Sequence, residues 1–410
     1  MTTGIIAFAP LNHWKRKDMN SSSAVILAAM VLVCQCASAQ LETAGRKQVM
    51  RHGSRPDANQ FGSTVRTLGG REITRIDMDR YITGEMDSLN TMGVSLAIIN
   101  DAKVVYHFSH GVADAYSQDT VNDETLFEAA SLSKPVFAYF TMRLVEKGVL
   151  NLDTPLCRYF AYPDLEHDPQ NGLITARMVL DHTSGLPNWR SNNPANEMEG
   201  TLNIQFPPGS RFSYSGEGYV YLANVIAHLS HRSLLNLDSL FQQEVAQPLH
   251  LKHTYFGMNV YVAKHLACGH DGDRIVYDNS WPRKGFYPAG GMYTESLSYA
   301  NFLIAIMENE GLMKASFNEM LGKQTELPED EILRRYLGYT EWGLGFGRQP
   351  SEYGMNLSHP GNNIGYTSFF LMNKEKKFGF VFFCNSNQRL ELILRLENFL
   401  TSGEELHGKN

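Results

Sequence analysis

The pattern of apolar and polar positions predicts strands near both ends of the chain. Two β-rich runs, residues 94–99 and 104–108, flank a turn at Asn100 and Asp101, which is typical of a hairpin. The C-terminal stretch YTSFFLMNKEKKFGFVFFCNSN repeats this pattern around a Lys/Glu turn, and LELILRLENFL after it has a helical period. A helical pattern over residues 74–91 precedes the first hairpin. We therefore expect an antiparallel sheet formed by both chain ends.

The middle of the chain has a different pattern. Residues 145–285 contain helical segments, aromatic-rich loops and Pro/Gly punctuation, with few long strand signals. We predict an α+β fold in which residues 73–144 and 286–402 form a discontinuous α/β/α sandwich, interrupted by a mostly helical inserted domain at 145–285. Residues 40–72 are polar and lack periodicity, which predicts a flexible leader, and residues 403–410 are predicted to be a tail.

The N-terminal residues 1–39 have the pattern of a secretory signal peptide. The basic stretch KRK precedes an apolar run at residues 24–34, and small residues provide a cleavage site near Ala39. The run is shorter than the roughly 18 residues that a spanning helix needs, so we expect export to the periplasm or the medium without a stable membrane anchor. Met19 is an alternative start. A lipoprotein signal fits less well, because neither Cys34 nor Cys36 follows a small residue.

Composition and charge narrow the classes of function. A chain of 410 residues with 43% hydrophobic and 19% charged residues can bury a large globular core. The net charge is −7 and no basic stripe is present, which argues against a nucleic-acid partner. No CxxC pair or HExxH helix occurs, so neither a metal site nor a cofactor is implied. Cys157, Cys268 and Cys384 remain after the signal and allow at most one disulfide.

Candidate chemistry begins in the stretch FEAASLSKPVFAYF, residues 127–140. A proline is compatible with a helix only in its first turn, so Pro135 places the helix start near residues 131–133. Ser131 then lies at the helix N-terminus, and Lys134 lies on the same face three residues later. Burial of the amine would lower its pKa and let it accept the serine proton. The alternative is that Ser131 only caps the helix and Lys134 points into water.

Four further stretches follow SLSK at characteristic spacings: ITARMVLDHTSGLPNW from residue 174, FPPGSRFSYSGEGYVYLANVI from 206, PAGGMYTESLSYANFL from 288 and SHPGNNIGYTSFF from 358. Together they resemble the serine β-lactamase-like family, which includes class C β-lactamases, D-alanyl-D-alanine carboxypeptidases and related esterases. The resemblance covers about residues 74–400 and implies a β-lactamase/transpeptidase-like fold. It also implies a hydrolase that forms an acyl-enzyme on a serine.

The resemblance assigns roles to three residues. Ser131 matches the acylated nucleophile, and Lys134 matches the lysine that shares its proton. Tyr214, in YSG, matches the tyrosine of a Tyr-x-Asn element and acts by resemblance as a second base or proton relay. The alternative for Tyr214 is an aromatic residue packed after a Pro-Gly turn. The family pattern leaves open whether Lys134 or Tyr214 is the acylation base.

The sequence departs from the family pattern at two positions. Gly216 stands where the family has asparagine, so the side-chain amide that would hold a substrate carbonyl is missing. The stretch SHPG matches the family's Lys-Thr-Gly strand, with His359 at the lysine and Gly361 at the glycine. By resemblance, the backbone N–H of Asn362 joins that of Ser131 in an oxyanion hole. A Ser-His pair is a minor alternative for His359, because no GxSxG turn or acid partner is evident.

The remaining motif residues are interpreted as structural. His182 in HTSGLP lies at the end of a predicted helix, and Gly290 and Gly291 suit a tight turn. The sequence thus predicts an exported serine hydrolase that acts on a small molecule or short peptide, esterase-like or D-Ala peptidase-like, with weak or no β-lactamase activity. The alternative is a family member that binds penicillins or cell-wall peptides without hydrolysing them.

Overall fold

The computed structural model of the chain describes residues 61–190, 200–272, 274–276, 285–387 and 390–403. The predicted signal peptide and most of the predicted leader and tail lie outside these residues. The strands are β1 (Thr64–Arg66), β2 (Glu72–Thr74), β3 (Gly93–Asn100), β4 (Lys103–Asp114), β5 (Asp119–Thr120), β6 (Phe127–Glu128), β7 (Gly269–Asp271), β8 (Arg274–Val276), β9 (Tyr293–Thr294), β10 (Thr325–Glu326), β11 (Glu341–Trp342), β12 (Gly347–Ser351), β13 (Gly354–Asn363), β14 (Tyr366–Asn373) and β15 (Phe378–Cys384). The α-helices are α1 (Arg75–Ser88), α2 (Ser133–Glu146), α3 (Ala176–Leu180), α4 (Glu217–Leu229), α5 (Asp238–Phe241), α6 (Val260–His265), α7 (Ser296–Glu308), α8 (Lys314–Leu321), α9 (Ile332–Leu337) and α10 (Leu390–Ser402).

A nine-stranded antiparallel sheet forms the centre of the molecule. Its strand order is β10-β11-β12-β13-β14-β15-β3-β4-β5. Strand β15 from the C-terminal part pairs directly with β3 from the N-terminal part, with Gly379 opposite Ile99 and Cys384 opposite Val94. The predicted α+β fold, with a sheet formed by both chain ends, is therefore confirmed.

The two faces of the sheet are covered by different helices, and the side-chain alternation of the central strands explains why. Leu96 and Ile98 of β3 pack in one hydrophobic cluster with α1 and α10. Ala97 and Ile99, on the opposite face, pack in a second cluster with α2 and α7. Because both faces are covered, all eight residues of β3 are buried, and its sequence GVSLAIIN is apolar almost throughout.

The two terminal helices of the sandwich contact each other on one face. Tyr81 of α1 stacks on Phe399 of α10 with ring centroids 3.7 Å apart, and its hydroxyl donates to the carbonyl of Arg395. Arg395 also forms an ion pair with Glu85. These contacts join the N-terminal and C-terminal parts of the described chain as one layer.

The chain between α2 and β9 lies outside the large sheet. It contains the short helices α3, α5 and α6, the longer helix α4 and the two-stranded ribbon β7–β8. This agrees with the sparse strand signals of residues 145–285, although the division into two domains stays a prediction. None of the helices in the described ranges is long and apolar enough to cross a membrane.

One part of the predicted flexible leader is ordered. Residues 64–66 form β1, which pairs with β2 through Val65 and Ile73. Both side chains are buried in the same cluster as α1. The pattern of this segment alternates polar and apolar residues over only three positions, which is too short for periodicity to predict a strand.

Candidate active site

Ser131 lies in a strained turn between β6 and α2. A 3₁₀ turn at Ala130–Leu132 leads directly into α2, whose third residue is Pro135. Ala130 has a positive φ of 49°, which is uncommon for a residue with a side chain and is found at functional sites held by their surroundings. The Ser133 hydroxyl holds this turn, since it donates to the Ala130 carbonyl at 2.6 Å and accepts from the Met292 N–H at 3.1 Å.

Lys134 is buried and contacts the Ser131 hydroxyl. Its side chain is 1% exposed, and its Nζ lies 3.2 Å from Ser131 Oγ and 2.5 Å from the carbonyl oxygen of Ala289. Burial lowers the pKa of Lys134 to about 7, because desolvation disfavours the ammonium form. The alternative in which Lys134 points into water is therefore wrong.

Tyr214 covers the other side of the amine. Lys134 Nζ lies 4.7 Å from the centroid of the Tyr214 ring. Burial raises the pKa of Tyr214 above its usual value, and the nearby Ser131 hydroxyl counteracts part of that rise. The Tyr214 hydroxyl is buried, yet no hydrogen bond of good geometry joins it to Ser131. The structure thus brings together Ser131, Lys134 and Tyr214, as the sequence predicted, with Tyr214 in the phenol form at neutral pH.

The open edge of β13 borders the Ser131 turn. Strand β12 pairs with β13 only as far as Ser358, so the segment from His359 to Asn363 has a pairing strand on one side alone, β14, within the described chain. Gly361 packs directly on the turn, since a Cβ atom there would lie 2.8 Å from the Ala129 carbonyl oxygen and 3.2 Å from Ala130 Cβ. Asn362 follows with an exposed side chain. The predicted oxyanion-hole segment therefore adjoins the predicted nucleophile.

His359 is fully buried and neutral. Its Nδ1 lies 2.7 Å from the Pro360 carbonyl oxygen, and because a carbonyl only accepts, Nδ1 carries the proton. Burial and the positive charge of Lys134 lower the pKa of His359 to about 3. His359 therefore presents an uncharged ring whose Nε2 has no hydrogen-bond partner among the described residues.

Gly216 has no room for the side chain that the family pattern has there. A Cβ atom at Gly216 would lie 2.8 Å from the backbone oxygen of Asn188 and 3.1 Å from its Oδ1. The space is thus occupied by the segment after HTSGLP, which approaches the start of α4. The Asn188 Oδ1 is itself buried without a hydrogen bond to any described residue.

Three other aromatic rings, those of His182, Trp342 and His359, pack near the Tyr214 ring. Ring centroids of Tyr214 lie 4.3 Å from His182, 6.1 Å from Trp342 and 6.0 Å from His359. Each of the four rings has one buried polar atom that makes no hydrogen bond to the described part of the chain. Unpaired buried polar atoms are costly and rare in proteins. These four atoms thus lie within one cluster of packed rings that includes Tyr214.

Sequence reasoning missed three contributors to this site. The Ala289 carbonyl binds the Lys134 amine, although PAGG was interpreted only as a tight turn. Trp342 packs on His182 and His359, and no motif pointed to it. His182 was interpreted as structural, but it contacts Tyr214 directly. Motif order could have suggested His182, because HTSGLP is one of the five stretches that carry the resemblance.

The described residues contain no group of three or more His, Cys, Asp or Glu side chains that could hold a metal ion.

Known proteins are similar to this chain over most of its length. A family model described as Beta-lactamase matches residues 78–397. Protein flp of Staphylococcus aureus (strain NCTC 8325 / PS 47) is 22% identical over 327 residues, which cover 76% of this chain and 63% of that protein. The chain thus spans less than two thirds of the length of this relative.

Solved structures share the fold. The D-amino acid amidase from Ochrobactrum anthropi SV3 superposes with a TM-score of 0.62 and 22% identity, covering 78% of this chain and 97% of that chain. The D-alanine carboxypeptidase AmpC from Burkholderia cenocepacia superposes with a TM-score of 0.65 and 19% identity, covering 79% and 97%. Because the family model spans the segments that carry Ser131, Tyr214 and His359, the chain belongs to the beta-lactamase family.

Proposed function

We propose that this protein is a serine hydrolase that forms an acyl-enzyme on Ser131 and cleaves an ester or an amide. The observation that carries the proposal is the distance of 3.2 Å between Lys134 Nζ and Ser131 Oγ. The amine is buried, with a pKa lowered to about 7, so a large share of it is neutral at physiological pH. A neutral amine at hydrogen-bond distance can accept the hydroxyl proton during attack.

Lys134 is the better candidate for the acylation base. Burial raises the pKa of Tyr214, so a phenolate would be scarce at pH 7, whereas the lysine amine is near its midpoint. Tyr214 then acts as a proton relay: its hydroxyl, next to Ser131, passes a proton to the leaving group as it takes one up from Lys134, and the transfer runs in reverse when water attacks later. This division of roles uses both residues in the protonation states that their burial favours.

The reaction proceeds through two acyl transfers. Ser131 Oγ attacks the carbonyl carbon while its proton moves to Lys134, and the C–O or C–N bond breaks as the leaving alcohol or amine takes up a proton. Water then attacks the carbonyl carbon of the Ser131 ester and gives a proton to the Lys134–Tyr214 pair. The bond between Ser131 Oγ and the acyl carbon breaks, and Ser131 Oγ takes a proton back from the pair as the acid leaves. The backbone N–H groups of Ser131 and Asn362 are proposed to bind the oxyanion, an interaction on the order of 3 kcal/mol for each donor in comparable sites.

The departures at His359 and Gly216 point to an uncharged or weakly charged substrate. A neutral His359 offers no cation to a substrate carboxylate, and Gly216 offers no amide to a substrate carbonyl. The solved relatives named above are an amidase for D-amino acids and a D-alanine carboxypeptidase. Short-chain esters or uncharged amides therefore suit this site better than penicillins or cephalosporins, which carry a carboxylate.

The proposal is tested by labelling and turnover on the purified chain. A fluorophosphonate probe is expected to modify Ser131, located by peptide mass, and the protein is expected to hydrolyse a p-nitrophenyl ester or a D-amino-acid amide continuously. Absence of any label on Ser131 would refute the nucleophile assignment. A stable penicillin or ester adduct on Ser131 without turnover would instead identify a binding protein that does not hydrolyse its ligand.

A further inference from the structure

His182 holds the backbone on both sides of Tyr214. Its carbonyl oxygen accepts from the Ser213 N–H at 2.8 Å, and its ring Nδ1 accepts from the Ser215 N–H at 3.0 Å. One residue thus binds the two N–H groups that flank the tyrosine. His182 has a positive φ of 62°, a conformation that only a few per cent of non-glycine residues adopt, and it is this backbone that turns the carbonyl and the ring toward the same segment.

The hydrogen bond to Ser215 fixes the tautomer of the ring. A backbone N–H can only donate, so Nδ1 accepts with its lone pair and the neutral ring carries its proton on Nε2. The ring is fully buried. Burial and the nearby positive charge of Lys134 lower its pKa well below the usual value. The acceptor at Nδ1 therefore persists over the whole pH range in which the protein would be assayed.

The same ring packs on the face of Tyr214. The two centroids are 4.3 Å apart with an interplanar angle of 32°, and Trp342 packs against His182 at 5.3 Å. The Tyr214 ring is in turn 4.7 Å from Lys134 Nζ. The hydroxyl of Tyr214 has no hydrogen bond to hold it among the described residues, so its position depends on the backbone and the ring contacts.

We infer that His182 is a positioning residue for Tyr214, an inference that rests on the proposed role of Tyr214 in proton transfer. His182 does not meet the reacting atoms. It sets where the tyrosine hydroxyl lies relative to Ser131 Oγ, through two hydrogen bonds and a ring contact. Loss of the Nδ1 acceptor is expected to slow the proton-transfer steps, while substrate binding at the β13 edge is left nearly intact.

Two amide substitutions separate positioning from polarity. In His182→Asn the side-chain carbonyl oxygen reaches about where Nδ1 lies, whereas in His182→Gln it lies one bond farther. We expect kcat for p-nitrophenyl butyrate to fall less than about tenfold in His182→Asn and at least about a hundredfold in His182→Gln, with KM changed less than about threefold in both. Equal kcat values for the two variants would overturn the inference.

A double-mutant cycle tests whether the effect passes through Tyr214. In a Tyr214→Phe background, His182→Gln is expected to lower kcat by less than about threefold further, because the hydroxyl that His182 positions is already absent. A further hundredfold loss would show that His182 acts independently of Tyr214. Melting temperatures of all four proteins identify any variant whose loss of activity reflects unfolding. If His182→Gln is such a variant, the kcat of His182→Asn decides the test, because asparagine tolerates the positive φ.

A crystal structure of His182→Gln provides a readout that does not need activity. We expect residues 213–215 to shift and the Tyr214 hydroxyl to move away from Ser131 Oγ. An unmoved tyrosine would overturn the inference even if the wild-type protein proved active. If the wild-type protein neither turns over nor labels at Ser131 but the tyrosine shifts, the proposed function fails and the positioning by His182 stands.

Discussion

The surroundings of Lys134 disfavour the charged form of its amine. An ammonium group that leaves water loses several kcal/mol of solvation unless partners replace it. The described partners of Lys134 are one serine hydroxyl, one backbone carbonyl and the faces of two tyrosine rings, and no carboxylate pairs with it in the described ranges. The neutral amine is therefore favoured, and a neutral amine is what a serine nucleophile needs.

Substitution of the nucleophile is the direct test at this scale. Ser131→Ala is expected to abolish hydrolysis and fluorophosphonate labelling, since water cannot replace the serine at a comparable rate. Ser131 Oγ accepts a hydrogen bond from Lys134 at 3.2 Å, and loss of one such bond is expected to change the melting temperature little. Ser88→Ala, at the exposed end of α1, is the matched control and should keep full activity. Wild-type turnover in Ser131→Ala would exclude the acyl-enzyme.

Tyr214→Phe removes one hydroxyl and keeps the ring between Lys134 and His182. We expect turnover to fall at least about a hundredfold. The hydroxyl makes no hydrogen bond of good geometry within the described residues, so the free energy of unfolding is expected to stay the same or rise slightly. Activity assays and urea denaturation check both parts. Unchanged turnover with a large loss of stability would make Tyr214 a packing residue only.

The lowered pKa of Lys134 also predicts how stability depends on pH. Between about pH 7, where the folded amine titrates, and its ordinary value of 10.5, the unfolded chain binds a proton that the folded chain does not. The contribution of Lys134 to the free energy of unfolding therefore rises with pH in this window, by up to about 1.4 kcal/mol per unit. Lys134→Met lacks this term, so its stability relative to wild type is expected to be greater at pH 7.5 than at pH 9.5.

Urea denaturation at the two pH values measures this difference. The same substitution at the exposed Lys103 serves as control, and its stability relative to wild type is compared in the same way. If the difference in free energy of unfolding between Lys134→Met and wild type is the same at pH 7.5 and pH 9.5, Lys134 keeps its proton in the folded protein.

At the scale of elements, hydrophobic pattern and proline position predicted most of what the structure contains. Pro135 placed the start of α2 within two residues, and the two β-rich runs around Asn100 and Asp101 predicted the first hairpin, which β3 and β4 form. The sequence did not reveal which backbone groups face the site. The Ala289 carbonyl and the Asn188 backbone act through atoms that every residue has, so no residue type marks them.

The contact between β13 and the Ser131 turn is sensitive to one atom. In Gly361→Ala, the new Cβ would lie 2.8 Å from the Ala129 carbonyl oxygen and closer still to Ser368 Oγ, which donates to that same carbonyl. We expect the free energy of unfolding to fall by about 1–3 kcal/mol and kcat to fall at least about tenfold, because the strand must move away from the turn.

Gly84→Ala is the matched control for this substitution. A Cβ at Gly84 meets no atom within 4 Å, and alanine favours the helix α1 by up to about 1 kcal/mol. The control is expected to be as active as wild type and slightly more stable. If Gly361→Ala is as active and stable as this control, β13 does not pack on the turn as described.

For the whole molecule, the site is assembled from three distant parts of the chain. Ser131 comes from the turn before α2, Tyr214 from the segment before α4 and His359 from the large sheet. Family resemblance could place these residues together, whereas hydrophobic pattern alone could not, because each lies in a different element. The crowding at Gly216 could not be predicted from any one segment, since it depends on how residue 188 approaches α4.

The electrostatics of the assembled site predict its substrate preference. His359 has a pKa near 3, so it is uncharged from pH 5 to 9 and cannot pair with a substrate carboxylate. We expect kcat/KM for p-nitrophenyl butyrate to exceed that for nitrocefin throughout this range. A native preference for nitrocefin would contradict this expectation. The substitution Gly216→Asn does not test this preference, because Asn188 occupies the space that the new side chain would need.

The pairing of β3 with β15 governs the order in which the chain can fold. Ile99 pairs with Gly379, which lies far along the chain. A ribosome therefore has to synthesise nearly the entire sheet-forming sequence before β3 and β15 can pair. Until then β3 has one edge without its strand, and both of its faces are apolar. Contacts between residues so far apart in sequence slow folding and prolong the exposure of such edges. Chains released before β15 would therefore be the aggregation-prone species during synthesis.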